Sequence, residues 1–259
     1  MALIGGAKTK FLVVCTARTG SNLLTRSLAR PPDVRCFGEL AKANYQSEPN
    51  AFAKLERLTG RGAQELAKLQ SDTIEKFIFD IVYKIEGEAI GFKIFYEHCR
   101  EATRAVLWDR LAAERALKVV HLTREAGFDV YVSLLYAELT NKWVTLRGDS
   151  DAQANDLDNI IVDIEHCRGS LQRHFNRRRE ATTMFGRHPY LEVDYNELEI
   201  DLSGTLRKVR GFLEVPQQEI DIAPLRKQAA RPAREKVRNY AEVKAAFRGT
   251  DLASMFPSD

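Results

Sequence analysis

The stretch FLVVCTARTGSNLLTRSL, Phe11 to Leu28, joins two predicted elements through a single turn. Its first five residues, FLVVC, form a short aliphatic run that is typical of a strand buried on both faces of a parallel sheet. A helix is predicted to follow from about residue 21 to residue 29 and to end before Pro31 and Pro32, because proline cannot continue a helix. The turn TARTGSN between the two elements therefore opens at the carboxyl end of a strand.

The remainder of the chain alternates apolar strands with helices. Further strands are predicted near residues 33–37, 88–97, 117–122 and 190–193, and helices near residues 55–69, 73–85, 101–115, 129–139, 151–180 and 201–215. This alternation predicts an α/β protein with a central parallel sheet flanked by helices. Ligands bind beyond the carboxyl ends of the strands in such sheets, so the turns after Cys15, Phe95, Leu122 and Val193 are the predicted functional positions.

Composition places the chain among soluble globular proteins. It has 259 residues, of which 44% are hydrophobic and 29% charged, as expected for one large domain or two small ones. Lysine and arginine total 39 against 36 acidic residues, a balance that gives no reason to expect nucleic acid as a partner. No apolar run reaches the roughly 18 residues of a membrane span, and no secretory signal is recognised. The four cysteines form no CxxC pair, so we expect reduced, mostly buried thiols in a cytoplasmic protein.

The first turn has the chemistry of an anion site. A glycine between a strand and a helix lets backbone N–H groups converge, and the helix N-terminus adds the positive end of its dipole. Thr19, Ser21 and Asn22 offer side-chain donors, and Arg18 offers a cationic fork. A nucleoside-triphosphate loop would need G-x-x-x-x-G-K-[ST], and no lysine follows Gly20. Phosphate or sulfate binding is therefore predicted, and an ordinary capped turn is the alternative.

A second element of the same kind follows another strand. In VVHLTREAGFDVYVSLLYAE, Arg124 lies just past the strand and Ser133 lies nine residues later in the next helix. A single arginine at a strand end is usually a solvated charge. Together with the first turn, however, the pair fits a ligand that has two separated anionic groups.

These motifs resemble the sulfotransferases that use 3′-phosphoadenosine 5′-phosphosulfate (PAPS), which have a P-loop-like nucleotide-kinase fold. Their first loop reads roughly T-x-[PA]-[RK]-[ST]-G-[ST]-x-L, and TARTGSNLL fits its core. Ala17 replaces the common proline, and Asn22 stands where many relatives have Ser or Thr. The resemblance implies that the first loop binds the 5′-phosphosulfate and that the second element binds the 3′-phosphate. The residues implied are Arg18, Thr19, Gly20, Ser21, Asn22, Arg124 and Ser133.

Two later segments extend the resemblance over most of the chain. YLEVDYNELEIDLSGTLRKVRGFLEV is similar to a family segment whose tyrosine lies near the adenine, which implies that role for Tyr195. VRNYAEVKAAFRGTDLASMF resembles the tail of bacterial carbohydrate sulfotransferases of the Nod-factor and trehalose type. A basic segment near the C-terminus often closes over the 3′-phosphate in this family, which makes Arg231 and Arg234 candidates.

The resemblance implies transfer of a sulfuryl group from PAPS to a hydroxyl of a carbohydrate, glycolipid or other small acceptor. Arg18 is the candidate for stabilising the leaving phosphate. Glu39 in CFGEL is the first candidate for the base, because the bacterial carbohydrate branch has a similar glutamate, and His98 is the second. Lys93 could only stabilise charge. No convincing acidic metal site is recognised, so no metal is expected. A P-loop kinase using ATP and magnesium, and a non-catalytic relative, are the alternatives.

We expect one domain that spans residues 1–259. Variable stretches of this domain are expected to bind the acceptor. These stretches are helical insertions at about residues 42–70 and 141–187, where Tyr45 and Trp143 could contact a sugar. The histidines of the second stretch fit no metal motif and are predicted to lie at the surface; they are His166, His174 and His188. The sequence does not indicate an oligomeric state.

Overall fold

A five-stranded parallel sheet forms the centre of the protein. In the computed structural model, residues 8–42, 49–143, 145–146, 160–222, 225–226 and 232–257 are described. The strands of this sheet are β1 (Thr9–Cys15), β2 (Val34–Phe37), β3 (Ala89–Phe95), β4 (Lys118–Thr123) and β6 (Tyr190–Asp194). Their spatial order is β2-β3-β1-β4-β6, and every neighbouring pair is parallel. The predicted fold class is confirmed, and each of these five strands overlaps its predicted position.

Both faces of the sheet are buried, as the aliphatic strands predict. Successive residues of a strand point to opposite faces. Leu12 and Val14 pack with β3 residues in one core cluster, whereas Phe11, Val13 and Cys15 pack in the other. The sheet is therefore a layer between two apolar cores, and only its ends can hold polar chemistry.

Helices cover both faces and connect the strands. The helices between residues 21 and 140 are α1 (Ser21–Leu28), α2 (Pro49–Thr59), α3 (Ala63–Asp72), α4 (Ile74–Lys76), α5 (Ala102–Ala113) and α6 (Gly127–Thr140). The later ones are α7 (Ile164–Phe185), α8 (Tyr195–Ile200), α9 (Leu202–Phe212), α10 (Ala233–Lys236) and α11 (Tyr240–Ala246). A π-helical turn, Phe77–Ile81, and a 3₁₀ turn, Val82–Lys84, continue α4 to the end of the helix predicted at residues 73–85.

Two predicted helices have different bounds in the structure. The helix predicted at residues 55–69 is wrong as a single element, because α2 ends at Thr59 and α3 begins at Ala63. Gly60 between them has φ +69°, a left-handed conformation that ends a helix. The helix predicted at residues 151–180 begins instead at Ile164, where the Asp163 side chain accepts a hydrogen bond from the His166 backbone N–H. Residues 151–159 lie outside the described part of the chain.

The C-terminal segment packs against α6 and α7. Phe128 of α6 stacks on Phe256, with ring centroids 4.7 Å apart, inside a third apolar cluster that also holds Val243 and Phe247 of this segment. A two-stranded antiparallel pairing, β5 (Thr145–Leu146) with β7 (Leu225–Arg226), was not predicted because each strand has only two residues. Among the described helices, none has the length and apolar character needed to cross a bilayer.

The four cysteines are buried and unpaired, as predicted. They are Cys15, Cys36, Cys99 and Cys167. Burial raises the pKa of the Cys15 and Cys36 thiols to about 12. Because the thiolate is the reactive form, these two thiols are inert at neutral pH.

Candidate active site

A cavity of about 1100 Å³ opens at the carboxyl edge of the sheet. Its walls come from the first turn, the segment after β2, the segment after β3, and the facing sides of α6 and α7. Its volume is slightly above the range for small-molecule sites, about 300–1,000 Å³. The turns after Cys15 and Phe95 both line it, as the topology of the sheet predicts.

The first turn has two residues in the left-handed conformation. Arg18 has φ +69° and Gly20 has φ +75°. The Thr19 hydroxyl donates to the Thr16 carbonyl at 2.8 Å, so its proton is used within the turn. No side chain caps α1, and the first N–H groups of a helix have no acceptor inside the helix. The first backbone N–H groups of α1 therefore have no side-chain cap, whereas the Thr19 hydroxyl, one of the predicted side-chain donors, is used within the turn.

Gly20 permits the closest packing of the turn. A Cβ at this position would lie 2.9 Å from Leu198 Cδ2 and 3.2 Å from the Tyr195 ring. We expect Gly20→Ala to lower the free energy of unfolding by about 1–3 kcal/mol, because a left-handed non-glycine residue is strained and the new methyl group clashes. Urea denaturation measures this change. Gly62→Ala is the matched control, since Gly62 has φ −72° and open space around it; an equal loss in both variants would contradict the argument.

The two anion-directed elements of the sequence are in direct contact. Arg18 Nε donates to Ser133 Oγ at 2.9 Å, and Arg18 Nη1 donates to the Trp143 carbonyl at 2.9 Å. Arg124 Nη1 donates to the Arg18 carbonyl at 3.2 Å. The first turn, the end of β4 and the middle of α6 thus form one polar cluster.

Arg124 is fixed from several sides. Its Nη2 pairs with Asp129 Oδ2 at 3.0 Å, and its guanidinium lies 4.3 Å from the centre of the Tyr195 ring. The other oxygen of Asp129 is buried and has no hydrogen-bond partner among the described residues. Tyr195, the tyrosine predicted beside the adenine, therefore packs between Gly20 and Arg124. A guanidinium held on an aromatic face keeps its orientation and can present its remaining donors to a phosphate.

A buried lysine connects the first turn to the candidate base. Lys93 is fully buried in β3. Its Nζ donates to Asn22 Oδ1 at 2.6 Å and pairs with Glu39 Oε1 at 3.1 Å. Buried charges need such partners, because an unpaired ion loses several kcal/mol of hydration. Lys93 therefore holds Glu39 beside the N-terminus of α1, and Asn22, the departure from the family pattern, is one of its two partners.

His98 lies beside Glu39 and is neutral at physiological pH. Its Nδ1 accepts from the Phe95 backbone N–H at 3.3 Å, and its Nε2 is 3.8 Å from Glu39 Oε2. Burial lowers the pKa of His98 to about 4, an effect that Glu39 opposes. If Nδ1 accepts, the proton of the neutral ring is on Nε2, a tautomer that we infer from the hydrogen bond. His98 is then a donor toward the carboxylate, which leaves Glu39 as the better-placed proton acceptor.

The C-terminal basic residues are only partly placed. Arg234 is exposed on α10, which packs on α6 through Lys236, whose Nζ lies 4.6 Å from the centre of the Tyr136 ring. Arg231 and Tyr45 lie outside the described residues. The predicted roles of Arg231 and Arg234 at the 3′-phosphate therefore remain predictions.

Two of the three histidines predicted at the surface are not exposed. His188 is buried, with Nε2 3.3 Å from the Leu111 carbonyl, because the turn before β6 folds over α5. His174 is partly buried in the cavity wall, and burial lowers its pKa to about 4. His166 is exposed, as predicted, and contacts the Tyr131 hydroxyl at 3.0 Å.

Sequence reasoning missed the central place of Lys93 and the partner of Arg124. A lysine inside the apolar strand AIGFKIF was itself a signal, because lysine is almost never fully buried without a partner. Asp129 gave no comparable signal, since a carboxylate in the first turn of a helix is common. The carbonyl of Trp143 could not be foreseen as a partner of Arg18.

The parallel sheet, its flanking helices and the cavity at its carboxyl edge define an α/β protein with a P-loop-like fold. A sequence profile of the sulfotransferase family matches residues 11–219. The chain belongs to the sulfotransferase family, as the motifs of the first turn predicted.

Individual relatives agree with this assignment over nearly full length. Nodulation protein H of Rhizobium tropici is 25% identical, over 96% of this chain and 93% of its own length. Nodulation protein H of Rhizobium meliloti strain 1021 is 23% identical, over 95% and 94%.

Solved structures share the fold. The sulfotransferase from Alicyclobacillus acidocaldarius superposes with a TM-score of 0.50 and 18% identity, covering 96% of this chain and 99% of that one. The sulfotransferase domain from the curacin biosynthetic pathway gives 0.50 and 14%, covering 98% and 85%.

Proposed function

We propose that this protein transfers a sulfuryl group from PAPS to a hydroxyl of a carbohydrate or glycolipid acceptor. The observation that carries the proposal is the meeting of two arginine elements and a carboxylate–lysine pair around one turn. Arg18 contacts Ser133 and Arg124 on one side, and Asn22 contacts Lys93 on the other. The transferred SO₃ unit is neutral as a fragment, so a metal is less necessary than for transfer of a γ-phosphate.

The donor side has the chemistry of a nucleotide with two anionic ends. When bound, PAPS supplies the sulfuryl group and departs as 3′,5′-ADP. Backbone N–H groups at the start of α1 would hold the 5′-phosphosulfate, and Arg18 would stabilise negative charge on the leaving phosphate. Arg124 and Ser133 would hold the 3′-phosphate, with Tyr195 against the adenine. Arg124 is fixed in advance by Asp129, which lowers the entropy lost on binding.

The acceptor side offers a base beside the transfer site. Glu39 would take the proton of the acceptor hydroxyl as its oxygen forms the new bond to sulfur. The bond between sulfur and the bridging oxygen breaks in the same displacement, and the leaving phosphate keeps the electron pair. Lys93, between Glu39 and Asn22, would stabilise charge near the reacting centre. Positioning and electrostatics supply most of the rate in such in-line transfers.

A carbohydrate-like acceptor is proposed from similarity. Relatives named nodulation protein H match almost the whole chain, and the tail from Val237 to Phe256 has the pattern of the bacterial carbohydrate branch. We propose one catalytic domain spanning residues 1–259, in which the stretches 42–70 and 141–187 face the acceptor. Residues of α2 and α7 that line the cavity support this part of the proposal.

Ligand-dependent stability separates the donor nucleotides. We expect 3′,5′-ADP to raise the melting temperature and ATP with magnesium to have little effect, because the first turn has no lysine after Gly20. A ligand at 100 times its Kd adds about 2.7 kcal/mol to the free energy of unfolding. Differential scanning fluorimetry with each nucleotide makes the comparison. Stabilisation by ATP with magnesium and none by 3′,5′-ADP would contradict the proposal and favour the kinase alternative.

Arg124→Ala tests the 3′-phosphate site. We expect it to weaken 3′,5′-ADP binding by about 10- to 100-fold, the usual effect of losing a charge-assisted hydrogen bond. The substitution leaves Asp129 without its partner, so a urea midpoint must accompany the calorimetric Kd. Arg187→Ala, an exposed arginine before β6, is the matched control. Unchanged affinity in a folded Arg124→Ala protein would remove Arg124 from the donor site.

A further inference from the structure

Some cations in the wall of the cavity around Glu39 have no carboxylate partner in the part of the chain that the structure describes. Among the described residues that line the cavity, seven are Lys or Arg and four are Glu. Glu39 forms an ion pair with Lys93, and Glu97 Oε2 lies 3.9 Å from Arg177 Nη1. Glu101 and Glu138 are exposed to solvent. An excess of positive charge therefore remains in the cavity after its ion pairs are counted.

Arg104 is the clearest case. It lies in the first turns of α5 and lines the cavity next to His98 and Cys99. Its Nε and Nη2 are buried and have no hydrogen-bond partner among the described residues, and none of the ion pairs found there includes it. A buried donor without an acceptor is destabilising, so such a group calls for a functional explanation. An oxygen-rich anion in the cavity would supply the missing acceptors.

Lys54 is a second cation on the same wall. It projects from α2, and its Nζ lies 5.3 Å from the centre of the Phe37 ring. Phe37 precedes Glu39 by two residues. Burial lowers the pKa of Lys54, and the positive charges of Arg35 and Arg57 lower it further. The site thus destabilises its own ammonium group, which an anionic ligand would stabilise.

These cations are separate from the proposed donor contacts. The nucleotide is proposed to lie at the first turn, β4 and α6, where Arg18 and Arg124 already converge. Arg104 of α5 is close enough to His98, beside Glu39, to affect its pKa, and Lys54 of α2 packs over Phe37, two residues before Glu39. A ligand group held there would place a neighbouring hydroxyl beside the base rather than beside the adenine.

We infer that the acceptor is anionic and that Arg104 and Lys54 bind its phosphate or carboxylate group near the hydroxyl that receives the sulfuryl group. This inference rests on the proposed function and names the class of acceptor that the site prefers: a phosphorylated or acidic sugar or glycolipid. Both ligand groups suit the planar fork of arginine, which binds phosphate and carboxylate through two parallel hydrogen bonds. Binding two anions in one cavity is possible because the cation excess screens their repulsion.

The test uses protein saturated with 3′,5′-ADP and three sugars as probes: glucose, glucose 6-phosphate and glucuronate. We expect the two charged sugars to raise the melting temperature and to give calorimetric binding, and glucose to do neither at the same concentration. Comparison of the phosphate with the carboxylate tells which anion the site prefers. Arg104→Gln and Lys54→Gln should each weaken binding of the preferred sugar about tenfold or more, and leave the Kd for 3′,5′-ADP unchanged.

Arg115→Gln, an exposed arginine just past α5, is the matched control and should change neither affinity. Urea midpoints of all variants exclude a loss of fold, and Arg104→Lys should restore part of the binding because it keeps the charge. Equal shifts with the three sugars, no shift with any of them, or charged-sugar binding that survives both glutamine substitutions would overturn the inference while the donor site stands. Failure of 3′,5′-ADP itself to stabilise the protein would remove the proposed function and this inference with it.

Discussion

Glu39→Gln is expected to lower kcat for sulfuryl transfer by roughly 10²- to 10⁴-fold, the range that general base catalysis contributes. The glutamine keeps the shape of the side chain and can still accept a hydrogen bond from Lys93, but it cannot take a proton from the acceptor. The 3′,5′-ADP affinity should change little, because Glu39 pairs with Lys93 and is proposed to act on the acceptor rather than on the nucleotide. Labelled sulfate transfer from PAPS, with calorimetry of 3′,5′-ADP binding, measures both quantities.

Two comparisons make this result specific. His98→Gln should reduce kcat much less, since the pKa of His98 is about 4 and its Nδ1 already accepts a backbone hydrogen bond. Glu138→Gln, an exposed carboxylate elsewhere on the cavity wall, should have almost no effect. A larger loss in His98→Gln than in Glu39→Gln would reverse the assignment of the base.

Arg18→Ala is expected to lower kcat by about 10²- to 10³-fold, the usual result of removing one donor from a developing negative charge. Its effect on 3′,5′-ADP affinity should be much smaller, because the backbone N–H groups of the turn and Arg124 would still bind the product. The left-handed φ of Arg18 should not prevent folding, since alanine would be about as strained there as arginine. Steady-state kinetics and product binding together give the ratio of the two losses.

The structure adds a complication that a second variant resolves. Arg18 also bonds Ser133 and the Trp143 carbonyl, so its removal could disturb the cavity wall. Arg18→Lys keeps a positive charge without the fork, and Arg207→Ala changes an exposed arginine of α9. We expect an intermediate kcat for the first and wild-type kcat for the second. Equal losses of kcat and of product affinity in Arg18→Ala would instead mean that Arg18 acts only in ground-state binding.

Local sequence pattern was enough to predict the strands, the helices and the parallel sheet. Aliphatic runs such as FLVVC predict strands with two buried faces, and their alternation with helices predicts parallel order. The carboxyl ends of those strands then indicate where Arg18 and Glu39 should face. Local pattern did not predict the ends of helices that are set by a single backbone conformation. At Gly60, a left-handed φ ends α2 and separates it from α3.

Tertiary structure alone decided which of the candidate residues touch. Arg18 and Ser133 are 115 positions apart in sequence, and Asn22 and Lys93 are 71 apart. Such pairs depend on the order of strands in the sheet, which places β3 and β4 on either side of β1. No local periodicity encodes that order or the direction of a side chain at the end of a strand.

What the sequence determined by itself was the fold and the family, because short-range spacing specifies a strand, a tight turn and a helix N-terminus. What only the folded chain decided was the partnership of Lys93 with Glu39 and Asn22, and the burial of Arg104 Nε and Nη2 without a hydrogen-bond partner among the described residues. The physical reason is burial. The sequence does not distinguish a lysine or an arginine at the surface from one in a cavity. Only packing removes the water that would otherwise be its hydrogen-bond partner.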